Sequence, residues 1–313
     1  MPNHTGYKEF VGFEKRMGMT ELTVFTPTYN RATLLTRCYE SMIRQTVKEF
    51  IWMIIDDGSD DGTEELVAEW MKKPHGFKIE YYWKENGGLH TAYNEAISHI
   101  TTPLCVCIDS DDWMPDNAVE RILEIWQRYG SDKVAGIVGL DYTSDGKIVG
   151  DPLPNQETIN LIDLLLGKYS IVNGDRTNVV RTDLYQQFAP MKSFPGEKYF
   201  NPHYMHLQIS IKYDFLVLNE NLRFVEYQTE GMSNSIITQY KNSPNSFAEI
   251  RLLYLSFPNI SIRFIFRQCI HLTASGFLSH NLIECLRRSP YKLLTCFAII
   301  PGLFLSFYIQ THG

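Results

Sequence analysis

The first half of the chain alternates short apolar runs with longer segments whose apolar residues recur at helical spacing. The predicted strands are Leu22–Thr26, Phe50–Ile55, Phe77–Trp83, Leu104–Ile108 and Val134–Leu140, and the predicted helices are Arg31–Arg44, Asp60–Lys72, His90–Ile100 and Pro115–Arg128. This alternation predicts an α/β fold with a mainly parallel central sheet and helices on both faces.

Polar clusters follow three of the predicted strands. Pro27–Arg31 follows the first strand, Asp56–Asp60 the second and Asp109–Asp112 the fourth. Ligands of open parallel sheets bind beyond the carboxyl ends of the strands, so we expect the three clusters to meet in one site.

The C-terminal region has a different pattern from the rest of the chain. After Asp141 the periodicity is irregular, with short strands predicted at Phe215–Leu218 and Leu222–Val225. Leu293–Ile309 is a run of 17 residues without a charge, whereas a membrane-spanning helix needs about 20 apolar residues. Pro301 interrupts the run, so a helix lying in the membrane interface is favoured over a spanning helix or a buried core helix.

Charge is distributed unevenly between the two ends of the chain. The net charge of −7 argues against a nucleic-acid partner bound through its phosphates. From Arg251 onward six Lys and Arg face one acid, which leaves +5 there and −12 in residues 1–250. A basic, apolar tail on an acidic body predicts contact with an anionic membrane surface.

The six cysteines include no C-x-x-C pair, which argues against a zinc ribbon.

The segment Asp109–Asp112 places three carboxylates within four residues. Such carboxylates repel one another unless a cation joins them, and a hard divalent ion such as Mg²⁺ or Mn²⁺ prefers oxygen ligands. Asp109 and Asp111 are the candidate ligands. The alternative is an Asp-rich turn in which Asp112 or Asp116 caps the next helix.

Three further segments carry candidate binding groups. Thr26–Arg31 offers an aromatic ring for stacking and a cation for phosphate, and Asp56–Thr63 offers carboxylates at a glycine turn that could equally cap a helix. Asn86–Asn94 is a glycine turn leading into a helix N-terminus, which predicts an anion site. It lacks the G-x-G-x-x-G pattern, so a dinucleotide-binding site is not supported.

Taken together and in this order, the four segments resemble the family 2 glycosyltransferases of GT-A fold, of the type that builds bacterial cell-surface polysaccharides. The resemblance is dense over residues 21–140, thinner over 141–235, and fades in the tail. It implies metal-dependent transfer of a sugar from a nucleotide-sugar donor, most simply a UDP-sugar, to a hydroxyl of a lipid-linked or polysaccharide acceptor, with inversion. It also implies Mn²⁺ or Mg²⁺ as cofactor and a hexosyl or N-acetylhexosaminyl group as the sugar transferred.

The resemblance also implies roles for individual residues. The implied nucleotide-sugar-binding residues are Pro27, Thr28, Tyr29, Arg31, Asp57, Asn86, Gly88, Asn94, Asp109, Ser110 and Asp111. Among them Asp57 would bind the uracil, and Asp111 with Asp109 would hold the metal. Leu89 departs from the pattern, because similar sequences often carry a basic residue there.

The family motif that carries the general base is matched only in part. The family places it in a Glu-Asp pair, and the matching stretch here contains Glu197 followed by Lys198 in place of the Asp. Glu197 is therefore the predicted catalytic base, with Asp175 and Asp183 as rivals. The alternative for Glu197 is a surface acid after a Pro-Gly turn.

The predicted organisation is a loose N-terminal extension at 1–19, a GT-A domain at 20–240 and a helical membrane-associating region at 241–313. Within the domain, 20–140 would bind the nucleotide-sugar and 141–240 the acceptor. The predicted location is the cytoplasmic face of the membrane, peripheral or monotopic. Two other functions stay open: a non-catalytic nucleotide-sugar-binding subunit, and a sugar-phosphate nucleotidyltransferase, whose glycine- and lysine-rich signature the first strand lacks.

Overall fold

The structure, a computed structural model, describes residues 20–226 and 235–313, so the predicted extension at 1–19 lies outside the described residues. One mixed sheet of eight strands organises them, in the order β3-β2-β1-β4-β7-β5-β8-β6. The strands are β1 Leu22–Thr28, β2 Phe50–Asp56, β3 Lys78–Trp83, β4 Leu104–Cys107, β5 Val134–Thr143, β6 Thr158–Ile159, β7 Arg176–Arg181 and β8 Asp214–Val225.

Helices flank the sheet and form the C-terminal region. Those of the sheet domain are α1 Ala32–Arg44, α2 Thr63–Met71, α3 Leu89–His99, α4 Ala118–Tyr129, α5 Leu161–Leu165, α6 Thr182–Phe188 and α7 His203–Ser210. The remaining ones are α8 Ile236–Asn242, α9 Pro244–Leu255, α10 Ile262–Leu278, α11 Leu282–Arg288, α12 Lys292–Phe297 and α13 Ile299–His312. The predicted α/β fold with a mainly parallel, helix-flanked sheet is confirmed.

The apolar runs became buried strands because both of their faces are covered. On β1, Val24 packs with Cys38 and Met42 of α1 on one face of the sheet. Phe25 packs on the other face, where its ring meets Tyr93 of α3 edge-on at 4.9 Å. Strands β1, β2, β3 and β4 pair in parallel, so β1, β2 and β4 end at the same edge of the sheet.

The second half of the sheet differs from the prediction in three ways, the first being the short edge strand β6, which was not predicted. Strand β7, which runs antiparallel between β4 and β5, was not predicted, because its short apolar core lies between two arginines. The two short strands predicted at 215–218 and 222–225 form the single strand β8, which pairs with β5 through register shifts. The polar residues between them resemble a turn, but Asn219 hydrogen-bonds the backbone of Leu153 instead.

The capping alternative for the acidic cluster is wrong. Helix α4 begins at Ala118, and its N-cap residue Asn117 makes no side-chain cap. Asp112 pairs with Arg223 and Asp116 with Arg44. The cluster is therefore held by cations rather than by a helix end.

The C-terminal helices pack closely on one another. Pro301 lies in the first turn of α13, where a proline is tolerated. The helix is instead broken at Ala298, between α12 and α13. Gly302 permits close contact with α10, because a Cβ atom there would lie 2.0 Å from Thr273 Oγ1. Across residues 20–226 and 235–313, no helix has the length and apolar character that crossing a bilayer requires.

Candidate active site

A cleft of about 410 Å³ opens where β1, β2 and β4 end. Its lining residues are Pro27, Thr28, Tyr29, Arg31, Asp57, Asn86, Gly88, Leu89, Ala92, Asp109, Ser110, Asp111, Asp112, Asp175, Lys198, Arg223, Val225 and Glu226. The polar clusters of the three strand ends thus meet. Of the predicted nucleotide-sugar residues, all except Asn94 lie on this cleft.

The end of β1 supplies one wall of the cleft. Thr28 is buried, and its hydroxyl has no hydrogen-bond partner among the described residues. The ring of Tyr29 is 48% exposed at the cleft, which leaves an aromatic face open for stacking. The Arg31 guanidinium lies 2.8 Å from an Asp111 carboxylate oxygen. This wall therefore combines a flat ring, an unpaired hydroxyl and a cation.

The Asp57 carboxylate, just after β2, lies against the turn before α3 that was predicted to bind an anion. Its carboxylate accepts hydrogen bonds from Lys84 Nζ at 2.6 Å and from the backbone N–H groups of Gly87 at 3.0 Å and Gly88 at 2.7 Å. Asn86 Nδ2 donates to it as well, at 3.2 Å. The anion held at this turn is therefore the Asp57 carboxylate, which already uses the N–H groups of Gly87 and Gly88. Contact between Asp57 and a uracil stays a prediction, and the structure shows that its carboxylate already orders the turn.

Gly88 is required by the contact between this turn and Lys198. Its φ is +93°, and a Cβ atom there would lie 1.9 Å from the Lys198 carbonyl oxygen. Lys198 Nζ in turn donates to Asn86 Oδ1 at 2.6 Å. The residue that replaces the expected Asp therefore supports the donor-side turn and adds a cation to the cleft.

A largely buried arginine offsets part of the negative charge of the acidic cluster. Arg223 on β8 lies 3.3 Å from Asp109, 3.2 Å from Asp112 and 2.5 Å from Asp141. Burial raises the pKa of Asp112 to about 8, and the attraction of Arg223 opposes that shift. Sequence reasoning missed Arg223, because it lies 114 residues from Asp109 in the chain and in no motif.

A second arginine supports the loop that carries the cluster. Arg37 Nη2 donates to the Asp111 backbone oxygen at 2.6 Å, and its guanidinium lies 4.0 Å from the centre of the Trp113 ring. Its Nη1 pairs with a Glu226 carboxylate oxygen at 2.5 Å. The loop is thereby attached to α1 as well as to β8.

Asp109 and Asp111 offer carboxylate oxygens, the ligands that a hard divalent ion prefers. Mg²⁺ is commonly bound by one or two carboxylates together with substrate phosphates, and these two carboxylates line the cleft. With Asp112 and Asp141 they make four carboxylates against the two guanidiniums of Arg31 and Arg223. No group of three His, Cys, Asp or Glu side chains that could hold an ion occurs in the part of the chain that the structure describes.

Asn94 lies outside the cleft, contrary to its predicted contact with the nucleotide-sugar. Its Nδ2 donates to the Met191 carbonyl at 3.0 Å, and its Oδ1 accepts from the Met191 N–H at 2.8 Å. Both ends of the amide are used, so Asn94 fixes the loop around Met191 to α3.

Glu197 also lies outside the cleft, contrary to its prediction as the general base. The residue is 8% exposed. One carboxylate oxygen accepts from the backbone and side-chain nitrogens of Asn245 at 2.8 and 2.9 Å, and the other from Ser246 N at 2.8 Å and Oγ at 2.7 Å. These residues open α9, so Glu197 caps that helix and is not the surface acid of the alternative either.

The two rivals for the base lie in different places. Asp183 is an exposed residue of α6 that pairs with Arg181 at 2.6 Å, away from the cleft. Asp175 precedes β7 and lines the cleft. Asp175 is therefore the rival that could meet a hydroxyl arriving from the second half of the domain.

A second cavity of about 400 Å³, the inner chamber, adjoins the cleft. The two share Leu89, Asp109, Asp175 and Arg223. Its other lining residues are Tyr93, Cys107, Leu161, Leu164, Leu165, Asn173, Gly174, Arg176, Thr177, Asn178, Tyr185, Asn201, Pro202, His203 and His206. Sequence reasoning did not find this chamber, because its walls come from α3, β4, α5, β7, α6 and α7.

Solved structures share the fold. A fragment of S. aureus TarS in complex with UDP-GlcNAc has a TM-score of 0.57 at 15% identity, over 93% of this chain and 90% of that one. The mannosyltransferase PcManGT of Pyrobaculum calidifontis, in complex with GDP-Man and Mn²⁺, has a TM-score of 0.54 at 16% identity, over 93% and 88%. The mixed sheet and its helices therefore have the GT-A fold.

Sequence comparison identifies the family. Glycosyltransferase GlyA of Streptococcus pneumoniae is 32% identical over 116 residues, which are 37% of this chain and 16% of GlyA. The chain thus spans a small part of that relative's length. The family model of glycosyl transferase family 2 matches residues 23–183, a little over half of the chain. This protein belongs to glycosyl transferase family 2.

Proposed function

We propose that this glycosyltransferase moves a sugar from a UDP-sugar to a hydroxyl of a lipid-linked or polysaccharide acceptor, with inversion at the anomeric carbon. The observation that carries the proposal is the cleft in which Tyr29 and Arg31 face Asp109 and Asp111. The UDP-GlcNAc of the TarS complex and the GDP-Man of PcManGT support a nucleotide-sugar donor. A hexosyl or N-acetylhexosaminyl group would be the part transferred.

The donor would bind along the β1 wall. The Tyr29 ring stacks on the base, and Arg31 pairs with the diphosphate. Asp109 and Asp111 would hold Mn²⁺ or Mg²⁺. When bound, such an ion offsets the negative charge of the diphosphate.

The acceptor would lose its proton to Asp175. A hydroxyl is far too weak an acid to ionise at neutral pH, so a carboxylate must take the proton as the new bond forms. Asp175 lies where the cleft meets the inner chamber, on the side supplied by the second half of the domain. A direct attack from that side inverts the anomeric carbon.

Calorimetric titration with UDP tests the donor site. We expect binding in Mn²⁺ that EDTA abolishes, and a loss of at least about tenfold in Asp111→Ala, equivalent to about 1.4 kcal/mol. Asp116→Ala is the matched control, because Asp116 is an exposed aspartate that pairs with Arg44 outside the cleft lining. If UDP binding depends on neither the metal nor Asp111, the assignment of Asp109 and Asp111 as metal ligands is excluded. Binding of UDP-sugars without any turnover would favour the non-catalytic subunit.

A stripe of large apolar side chains faces outward on α12 and α13. It consists of Leu293, Phe297, Ile300, Phe304 and Phe307, all of them at least 66% exposed. The small residues Gly302 and Ser306 lie on the opposite, buried face of α13. Basic Arg287 and Lys292 lie near the start of the stripe. We assign the stripe to the interface of an anionic, cytoplasmic membrane surface, which would hold the site beside a lipid-linked acceptor.

Co-sedimentation with vesicles of phosphatidylglycerol and phosphatidylcholine tests this surface. Phe304→Ser with Phe307→Ser should lower the bound fraction by about tenfold or more, since burying a Phe is worth about 1.5–3 kcal/mol. UDP affinity should not change. Met71→Ser removes an exposed apolar side chain from α2 and should leave the bound fraction unchanged. Equal binding of wild type and double variant would exclude the stripe as the contact. Deleting residues 290–313 is a poorer test, because it would uncover α10.

A further inference from the structure

Two arginines at the start of α1 hold Asp111 at two different points. Arg31, the residue before α1, places a guanidinium nitrogen 2.8 Å from an oxygen of the Asp111 carboxylate. Arg37, in the second turn of the helix, donates from Nη2 to the Asp111 backbone oxygen at 2.6 Å. Arg31 therefore contacts the candidate metal ligand itself, whereas Arg37 holds the backbone from which that ligand extends.

The guanidinium of Arg37 is itself fixed by two further contacts. Its Nη1 lies 2.5 Å from a carboxylate oxygen of Glu226, and its central carbon lies 4.0 Å from the centre of the Trp113 ring. Trp113 is attached to β8, because its N–H donates to the Phe224 carbonyl at 3.2 Å and its carbonyl accepts from the Phe224 N–H at 2.8 Å. The planar fork of an arginine donates from two nitrogens and stacks on a ring at the same time, which a lysine does not do. Arg37 thus joins α1, the loop after β4 and the end of β8.

Arg37 acts on the cleft only through its neighbours. It lies outside the cleft lining, whereas Asp111 and Glu226 belong to that lining. A divalent ion needs its oxygen ligands at defined positions, and Mg²⁺ demands near-ideal octahedral geometry. Groups that hold a ligand without touching the metal usually contribute about 10–100-fold to metal affinity. The hydrogen bond from Arg37 to the Asp111 backbone has the geometry of such a supporting group.

We propose that Arg37 is a positioning residue for the metal, whose hydrogen bond to the Asp111 backbone keeps the Asp111 carboxylate in place for Mn²⁺ or Mg²⁺. This rests on the proposed function, because Asp109 and Asp111 are the metal ligands assigned there. Charge alone would act in the opposite direction, since removing a positive charge near a cation site raises the affinity for the cation. Loss of a positioning group lowers that affinity. The sign of the change therefore separates the two effects.

Calorimetric titrations of UDP at a series of Mn²⁺ concentrations test this role. The measured quantity, the Mn²⁺ midpoint, is the Mn²⁺ concentration at which the association constant for UDP reaches half of its maximum. In Arg37→Met we expect the Mn²⁺ midpoint to rise by about tenfold or more. The maximum itself should equal that of the wild type, because saturating metal compensates for a weaker metal site by mass action. A variant that is only partly folded would instead show fewer UDP sites per protein at an unchanged midpoint.

Two further variants serve as the conservative replacement and the matched control. Arg37→Lys keeps the charge but not the planar fork, so its Mn²⁺ midpoint should also rise, by less than in Arg37→Met. It carries the test alone if Arg37→Met does not fold. Arg44 lies on the same helix and pairs with Asp116 at 3.0 Å, outside the cleft lining. Arg44→Met should therefore keep the wild-type midpoint.

The results that would overturn this inference differ from those that would overturn the proposed function. Mn²⁺ midpoints at or below the wild-type value in both Arg37 variants overturn the positioning role alone. An equal rise in Arg44→Met overturns it as well, because the effect would then not be specific to the Asp111 loop. UDP binding by the wild type that does not depend on Mn²⁺ would instead count against the proposed function.

Discussion

Replacing Arg223 by methionine should lower the free energy of unfolding by about 3–5 kcal/mol, the usual cost of removing one partner from a buried ion pair. Arg223 is largely buried and pairs with Asp109, Asp112 and the fully buried Asp141, so its loss leaves the Asp141 carboxylate buried without its ion-pair partner. Guanidinium denaturation followed by circular dichroism measures the change.

Arg121→Met is the matched control for this substitution. Arg121 also pairs with two carboxylates, Glu220 and Glu124, but at a more exposed position, where such pairs contribute about 0–1 kcal/mol. Equal losses in the two variants would show that Arg223 does not hold the cluster. Asp141→Asn added to Arg223→Met should recover part of the loss, because it removes one of the uncompensated charges.

The parts of the site that the sequence could predict are those built from neighbours in the chain. The strand ends that carry Tyr29, Asp57 and Asp109 were predictable, because a continuous apolar run followed by polar residues marks both the strand and its exit. Parallel pairing of β1, β2 and β4 then brings these ends together. The position of the cleft could therefore be predicted from two things: the apolar runs with polar ends, and the rule that parallel strands end at the same edge of a sheet.

The errors concern residues whose partners come from far along the chain. Glu197 follows a Pro-Gly turn that indicates exposure, and nothing near it predicts that α9 begins against its carboxylate, 48 residues later. Asn94 lies in a donor-side motif, yet its amide is used by Met191, 97 residues away. Arg223 and the inner chamber were missed for the same reason.

Replacing Asp175 by asparagine should reduce kcat by about 10²–10⁴-fold, the usual contribution of a positioned general base. The amide keeps the size of the side chain but cannot accept the proton of the acceptor hydroxyl. UDP affinity should stay within about twofold, because the proposed donor contacts lie on β1 and on the acidic cluster. The measurement is UDP release from the donor in the presence of acceptor, paired with UDP titration.

Two further variants determine whether the base is Asp175 or one of the other acids considered. Asp183→Asn should leave kcat unchanged, because Asp183 pairs with Arg181 at the surface. Glu197→Gln should lower the free energy of unfolding rather than the rate, since the carboxylate caps α9 through both of its oxygens. A rate that falls in Glu197→Gln at unchanged stability, with Asp175→Asn fully active, would return the base to Glu197. Full activity in all three would place the base outside them and require another carboxylate of the cleft, such as Glu226.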